Sequence, residues 1–155
     1  MMADIIPVAT GERWIGYGVR SFQSVIHDLI SMASEELVMT VYILTNMDIV
    51  NDIKNALERG VGVEIYLYSE EAQEENEAVR SIMQLKNEYR YLRIYWIENK
   101  MLHAKVLVAD GSKVVSGSAN FTTGGMVKNY ELGFLVNNPT IALQILTLIK
   151  RLNTQ

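Results

Sequence analysis

Apolar residues recur along the chain at two alternating periods. From Val19 to Ala33, Val19, Phe22, Val25, Ile26, Leu29, Ile30 and Ala33 fall at helical spacing and predict an amphipathic helix. Leu37 to Leu44 reads as a strand through Val38, Val41 and Ile43. Thr45-x-x-Asp48 resembles a capping box ahead of a helix through Ile49, Val50, Ile53, Ala56 and Leu57, which Gly60 ends. Val63 to Tyr68 is the next strand. These strands carry so few polar positions that a sheet covered on both faces is expected.

The alternation continues to the end of the chain. A Glu-rich helix is predicted over Glu70 to Lys86, its acidic front favoured by the helix dipole. Strands follow at Leu92 to Ile97, Ala104 to Ala109 and Lys113 to Ser116, with Asp110-Gly111 supplying hairpin-turn chemistry between the last two. Phe121 to Lys128 is a Gly124-Gly125 loop with room for a helical turn, and Tyr130 to Val136 is a further strand. Asn138-Pro139 offers an N-cap and a proline at the first helical position. The last helix, Thr140 to Leu152, is apolar nearly all round and is expected to be buried in the core or in a subunit contact. The pattern predicts an α/β fold, a mixed, mainly parallel β-sheet flanked by helices on both faces. There is no internal repeat.

Composition narrows this picture. The 155 residues fit a single domain, 1–155, able to bury roughly 70% of its unfolded surface. Apolar residues make up 49% and charged residues 21%, which argues against disorder over the whole chain. With no cysteine, disulfides and thiolate metal sites are excluded. The N-terminus lacks the basic and apolar regions of a secretory signal, and no window approaches the ~20 apolar residues of a membrane span. A soluble, cytoplasmic protein without stable membrane association is expected. The net charge of −4 conceals an asymmetry: Met1 to Glu77 holds 4 Lys/Arg against 14 Asp/Glu, and Ala78 to Gln155 holds 10 against 4. A polyanionic substrate approaching the basic half fits this division, as do two solvated surfaces of opposite sign.

The candidate chemistry lies in that basic half, between His103 and Glu131. His103 and Lys105 stand at i and i+2 and should leave the same face of a short strand. Ser118 and Asn120 repeat the spacing after Gly117, and Asn129 and Glu131 open the next apolar strand. Nucleophile, cation and hydrogen-bond donors for a phosphate are thus gathered in one span. The pattern His103-x-Lys105-x4-Asp110, Gly117-Ser118-x-Asn120, Asn129-x-Glu131 resembles the HKD active-site signature of the phospholipase D superfamily, in particular its short, single-motif, nuclease-like members. The motif covers about a fifth of the chain, and the order of strands and helices around it suits the same family.

In-line displacement at phosphorus needs a nucleophile on one side and a proton donor on the other, and one histidine cannot stand on both. The other histidine, His27, lies in a predicted helix with no lysine two residues on and reads as a surface or core residue. Two copies of His103 are therefore required, and a homodimer with the site on its two-fold axis supplies them. The resemblance implies the same arrangement: one His103 attacks to give a phosphohistidine, and the other protonates the leaving oxygen and then activates water. It implies that Lys105 and Asn120 bind the non-bridging oxygens, that Glu131 hydrogen-bonds and orients the imidazole, and that Ser118 assists substrate binding. Asp110, Gly117 and Asn129 have structural or supporting roles. No metal and no other cofactor is needed.

Nucleic acid, DNA or RNA, is the expected substrate. A phospholipid phosphodiesterase and a catalytically idle phosphate-binding or dimerisation module of a larger assembly are the alternatives. Tyr89, Tyr91, Tyr95 and Trp96, near Arg90 and Arg93, either stack the bases of a single strand or simply fill a strand and its flanks.

Overall fold

The computed structural model describes residues 4–70 and 76–154. Among these, eight strands form one sheet in the order β2-β1-β8-β7-β6-β3-β4-β5. The strands are β1 (Ile5–Thr10), β2 (Arg20–Ser21), β3 (Glu36–Val41), β4 (Gly62–Tyr68), β5 (Leu92–Ile97), β6 (Val106–Ala109), β7 (Lys113–Gly117) and β8 (Glu131–Asn137). The helices are α1 (Phe22–Met32), α2 (Met47–Glu58), α3 (Glu77–Glu88) and α4 (Pro139–Lys150). A π-helical turn occupies Gly124–Lys128 and a 3-10 turn Arg151–Thr154.

The sheet is mixed, in a particular way. β1·β2, β3·β4 and β4·β5 pair in parallel, whereas β1·β8, β8·β7, β7·β6 and β6·β3 are antiparallel. Parallel pairs therefore flank an antiparallel middle, which corrects the expectation of a mainly parallel sheet. Two features produce that middle. Asp110 and Gly111 both have positive φ, 52° and 61°, and close a tight hairpin between β6 and β7. The N-terminal segment Ile5–Thr10 returns as a strand beside β8, an element the hydrophobic pattern did not announce. Pro7 breaks its periodicity and is tolerated because β2 pairs only with Val8 and Ala9, leaving the ladder open beside the proline.

Alternation along the strands assigns the two faces. Leu37, Met39, Val41, Val63, Ile65, Leu67 and Leu107 point to one side, where they pack with α1, α2 and α3. Val38, Tyr66, Val108 and Val114 point to the other and meet Ala142, Leu146 and Ile149 of α4. That helix buries one stripe only: Leu143 is 64% exposed and Leu148 60%. The strand side it leaves uncovered carries Ile5, Leu132 and Phe134, each just over half exposed.

Helix starts differ slightly from their predicted positions. Arg20 and Ser21 are extended, and the Ser21 hydroxyl caps α1 by accepting from Ser24 N–H, so the helix opens after Val19. Asn46, and not Thr45, caps α2: its Oδ1 accepts from Ile49 N–H at 3.1 Å, while the N–H groups of Thr45 and Asn46 both donate to Phe121 C=O. α3 opens at Glu77 behind the cap Asn76; the earlier part of the predicted Glu-rich helix, 71–75, lies outside the described residues. No helix among the described residues is long and apolar enough to cross a membrane.

Candidate active site

The carboxyl ends of β1, β3, β4 and β7 and the amino ends of β6 and β8 share one edge of the sheet. His103 and Lys105 arrive there on the segment leading into β6, which begins only at Val106. Thr40, buried in β3, holds this segment: its hydroxyl donates to Ala104 C=O at 2.9 Å and accepts from Val106 N–H at 3.1 Å. The backbone on both sides of Lys105 is thereby fixed. The ammonium Nζ lies 3.2 Å from His103 Nδ1 and donates to His103 C=O at 2.9 Å. With a charged lysine as donor, Nδ1 is an acceptor and the imidazole proton resides on Nε2.

Surrounding groups shape this pair. Phe22, Ile26, Ala119, Phe121 and Met126 line an enclosed space together with Lys105. Burial lowers the pKa of the lysine, and the negative charge of Glu131 works in the opposite direction. The ring of Tyr42 lies 4.7 Å from the His103 ring, stacks on Tyr68 at 5.6 Å, and has Lys105 Nζ 5.6 Å from its centroid.

A second cluster forms where β7 ends and β8 begins. Ser118 Oγ donates to Glu131 Oε1 at 2.7 Å and accepts from Leu132 N–H, and Asn129 Nδ2 donates to Glu131 Oε2 at 3.2 Å. Both carboxylate oxygens are thus engaged. The expected Glu131 bond to His103 is not formed within one chain, where the imidazole has Lys105 as its polar partner. Asn120 is half-buried, with Oδ1 enclosed and without a hydrogen bond in the chain. The π-helical turn packs against its backbone: a Cβ on Gly125 would stand 2.1 Å from Asn120 C=O. Gly117 faces Gly133 across β7·β8 with the Phe22 ring against both, and a Cβ there would meet Gly133 Cα at 2.6 Å.

Asp110 lies at the far end of β6, away from this edge. Its carboxylate accepts from the N–H groups of Ser34, Glu35 and Glu36 at 2.9–3.0 Å, pinning the hairpin turn to the segment entering β3. Burial pushes its pKa up, and these bonds with the Ser34 hydroxyl outweigh that push and hold the carboxyl below its usual value. His27 is remote in kind as well as place. It pairs with Asp52 at 2.9 Å beside a cleft of about 450 Å³ on the α1–α2 side, and that bond raises its pKa.

The aromatic candidates divide differently from the rest. Tyr91 donates to Leu57 C=O at 2.7 Å, Tyr95 stacks on buried Tyr66, and Tyr89 and Trp96 pack against the core, so these residues fill the sheet and its flank. The residues that sequence reasoning missed are Thr40, Tyr42 and Gly125. A threonine inside an otherwise apolar strand is a signal for the first. Nothing in local spacing marks the other two.

Among the described residues, no group of three or more His, Asp or Glu side chains is arranged to hold a metal ion. A family profile described as "Cardiolipin synthase, PLD-like domain" matches residues 26–153. Among curated proteins, none matches the chain in sequence. Solved structures share its fold. The phospholipase D family member Nuc from Salmonella typhimurium superposes with a TM-score of 0.80 at 24% identity, covering 97% of this chain and 94% of that one. For NucT from Helicobacter pylori the TM-score is 0.71 at 22% identity, with 84% and 86% covered. For phosphatidylserine synthase from Haemophilus influenzae it is 0.68 at 16% identity, with 97% and 38% covered. With the profile spanning most of its length, the chain belongs to the phospholipase D superfamily of phosphodiester-acting enzymes.

Proposed function

We propose that the chain is a metal-independent phosphodiesterase: a homodimeric, cytoplasmic endonuclease, folded as one domain, that hydrolyses nucleic-acid phosphodiester bonds through a phosphohistidine. The observation that carries this reading is the contact between His103 Nδ1 and a partly desolvated Lys105 Nζ at the edge of the sheet. A phosphate oxygen that takes Lys105 as its donor frees the imidazole lone pair that the ammonium now holds. The freed nitrogen attacks phosphorus in line. A P–N bond forms, the bond to the leaving oxygen breaks, and His103 of a second copy gives that oxygen its proton. The second histidine then takes a proton from water, and hydroxide attacks phosphorus and releases the first.

Lys105 and Asn120 of both copies meet the non-bridging oxygens, where negative charge grows in the transition state. Ser118 adds a donor. Glu131 sustains the charge on Lys105 and, through its bonds to Ser118 and Asn129, orders the loop. One feature supports association. The uncovered strand side bearing Ile5, Leu132 and Phe134 lies on the same side of the sheet as the outward Leu143 and Leu148 of α4. A second copy related by a two-fold axis covers both.

A phospholipid substrate is the second reading, favoured by the description of the matching family profile. Cleavage of labelled single- and double-stranded DNA and RNA in excess EDTA, with His103→Ala beside the wild type, separates the two. Wild-type cleavage that disappears in the variant is the expected result. Turnover of phospholipid vesicles without turnover of any polynucleotide would replace the nuclease reading with the lipid one.

A further inference from the structure

We propose that Trp14, Tyr17 and Tyr130 form a platform on which bases of a single-stranded nucleic acid stack, beside the residues that hold the phosphate. The inference rests on the nuclease reading and gives it a strand preference. Thr10, the last residue of β1, pairs with Glu131, the first of β8, so the loop after β1 rises from the same sheet edge as the candidate site. Gly11 lets that loop close over the strand end. Its φ is +119°, and a Cβ there would fall 2.3 Å from the Tyr130 ring. Trp14 N–H then donates to Gly11 C=O at 3.0 Å, and the Trp14 and Tyr130 rings meet with centroids 4.9 Å apart and planes tilted by 54°.

This arrangement supports the two rings without hiding them. Trp14 is 47% exposed and Tyr130 48%. Tyr17 is fully exposed at the tip of a turn closed by Val19 N–H donating to Gly16 C=O at 2.9 Å. Tyr17 adopts φ +52°, a left-handed conformation that costs a non-glycine residue energy and here places an aromatic ring in water. In the chain, exposed Arg13 adjoins Trp14 and exposed Lys128 stands two residues before Tyr130, with Glu12 and Glu131 the acidic neighbours. Aromatic faces interleaved with cations suit a flexible polyanion that bears stacking bases.

Position strengthens the case. At the ordinary strand spacing, β1 stands about 14 Å from β6 across β8 and β7. A strand whose phosphate reaches Lys105 can therefore lay neighbouring nucleotides toward Trp14. In a duplex the bases are stacked on one another and are withheld from such a surface.

The test uses the full chain carrying His103→Ala, so that nucleic acid is bound and not cut, with a fluorescein-labelled oligothymidylate and a duplex of equal length read by anisotropy. Trp14→Ala, Tyr17→Ala and Tyr130→Ala are each expected to weaken single-strand binding by roughly 5- to 100-fold. They should leave duplex affinity and the salt dependence unchanged. Arg13→Ala and Lys128→Ala should instead lower the slope of log Kd against log salt by about 0.7 each. Tyr17 makes no packing contribution to the core, so its variant reports on binding even where Trp14→Ala folds poorly. Unchanged single-strand affinity in Tyr17→Ala and Trp14→Ala, with sedimentation as in the parent, overturns the platform. Lost affinity that accompanies dissociation into monomers also overturns it, by assigning the rings to the second copy. Absence of polynucleotide binding by the parent, together with absence of cleavage by the wild type, removes the nuclease reading itself.

Discussion

Lys105 lines a small space together with Phe22, Ile26, Phe121 and Met126, and burial lowers its pKa while Glu131 partly restores it. Catalysis that needs this group protonated should decline at lower pH than an ordinary lysine with its value of 10.5 would dictate. Glu131→Gln removes the opposing charge. A pH profile of kcat/KM should therefore show a lower plateau and an alkaline limb displaced to lower pH; a limb that stays in place would uncouple Glu131 from Lys105. Asp110 makes the contrasting case. Its folded pKa lies below the ordinary 3.8, so the stability it lends is present above that value and is lost as pH falls through the folded one. Asp110→Asn keeps tolerance of the left-handed turn and surrenders the charged acceptor. Denaturant melts should show a loss of about 1–3 kcal/mol at neutral pH, narrowing to little in acid.

Among the elements, the π-helical turn Gly124–Lys128 exerts the tightest control on the site. Thr10 Oγ1 donates to Gly125 C=O at 2.6 Å from below, and Gly125 presses on the backbone of Asn120. Gly125→Ala should cost about 1–3 kcal/mol by overpacking and reduce turnover beyond what lost stability explains, because the residue displaced is Asn120. Wild-type stability in that variant would contradict the contact. This element also marks the limit of what the amino-acid pattern conveys. Helical and strand periods locate α1, α2, β3 to β8 and α4, and spacing singles out His103, Lys105, Ser118 and Glu131, whereas the strand pairing brings their segments to one sheet edge. Periodicity is local, however. β1 is short, contains Pro7 and owes its place to pairing with β8 more than a hundred residues on. Tyr42 and Thr40 touch the His103 segment only after β3 and β6 have paired. The cap of α2 is Asn46 and not Thr45, and the N–H groups of both are tied to Phe121 C=O, distant in sequence.

At the scale of the whole molecule, the proposal of a shared site makes a quantitative demand. Chains unfolded together and refolded as mixtures of wild type and His103→Ala should assemble at random, and a mixed pair retains one histidine where two are needed. Activity per total chain should then fall as the square of the wild-type fraction. A linear fall would mean that each chain carries a complete site. The same geometry requires polar replacement of the outward α4 residues, such as Leu143→Glu, to act through assembly and not through folding, since that side chain is 64% exposed in a single chain.

The strand side left bare beside α4 has a further consequence. Leu132 lies on it immediately after Glu131, so the surface that would join two copies adjoins the candidate site along one strand. An enzyme built this way responds to its own abundance. When copies are few, the active pairs vary with the square of the number of chains, so a fall in synthesis lowers the activity more than in proportion. When copies are plentiful, the response becomes proportional. The cell would then hold a degradative activity in check through gene dosage and dilution at division, without an inhibitor.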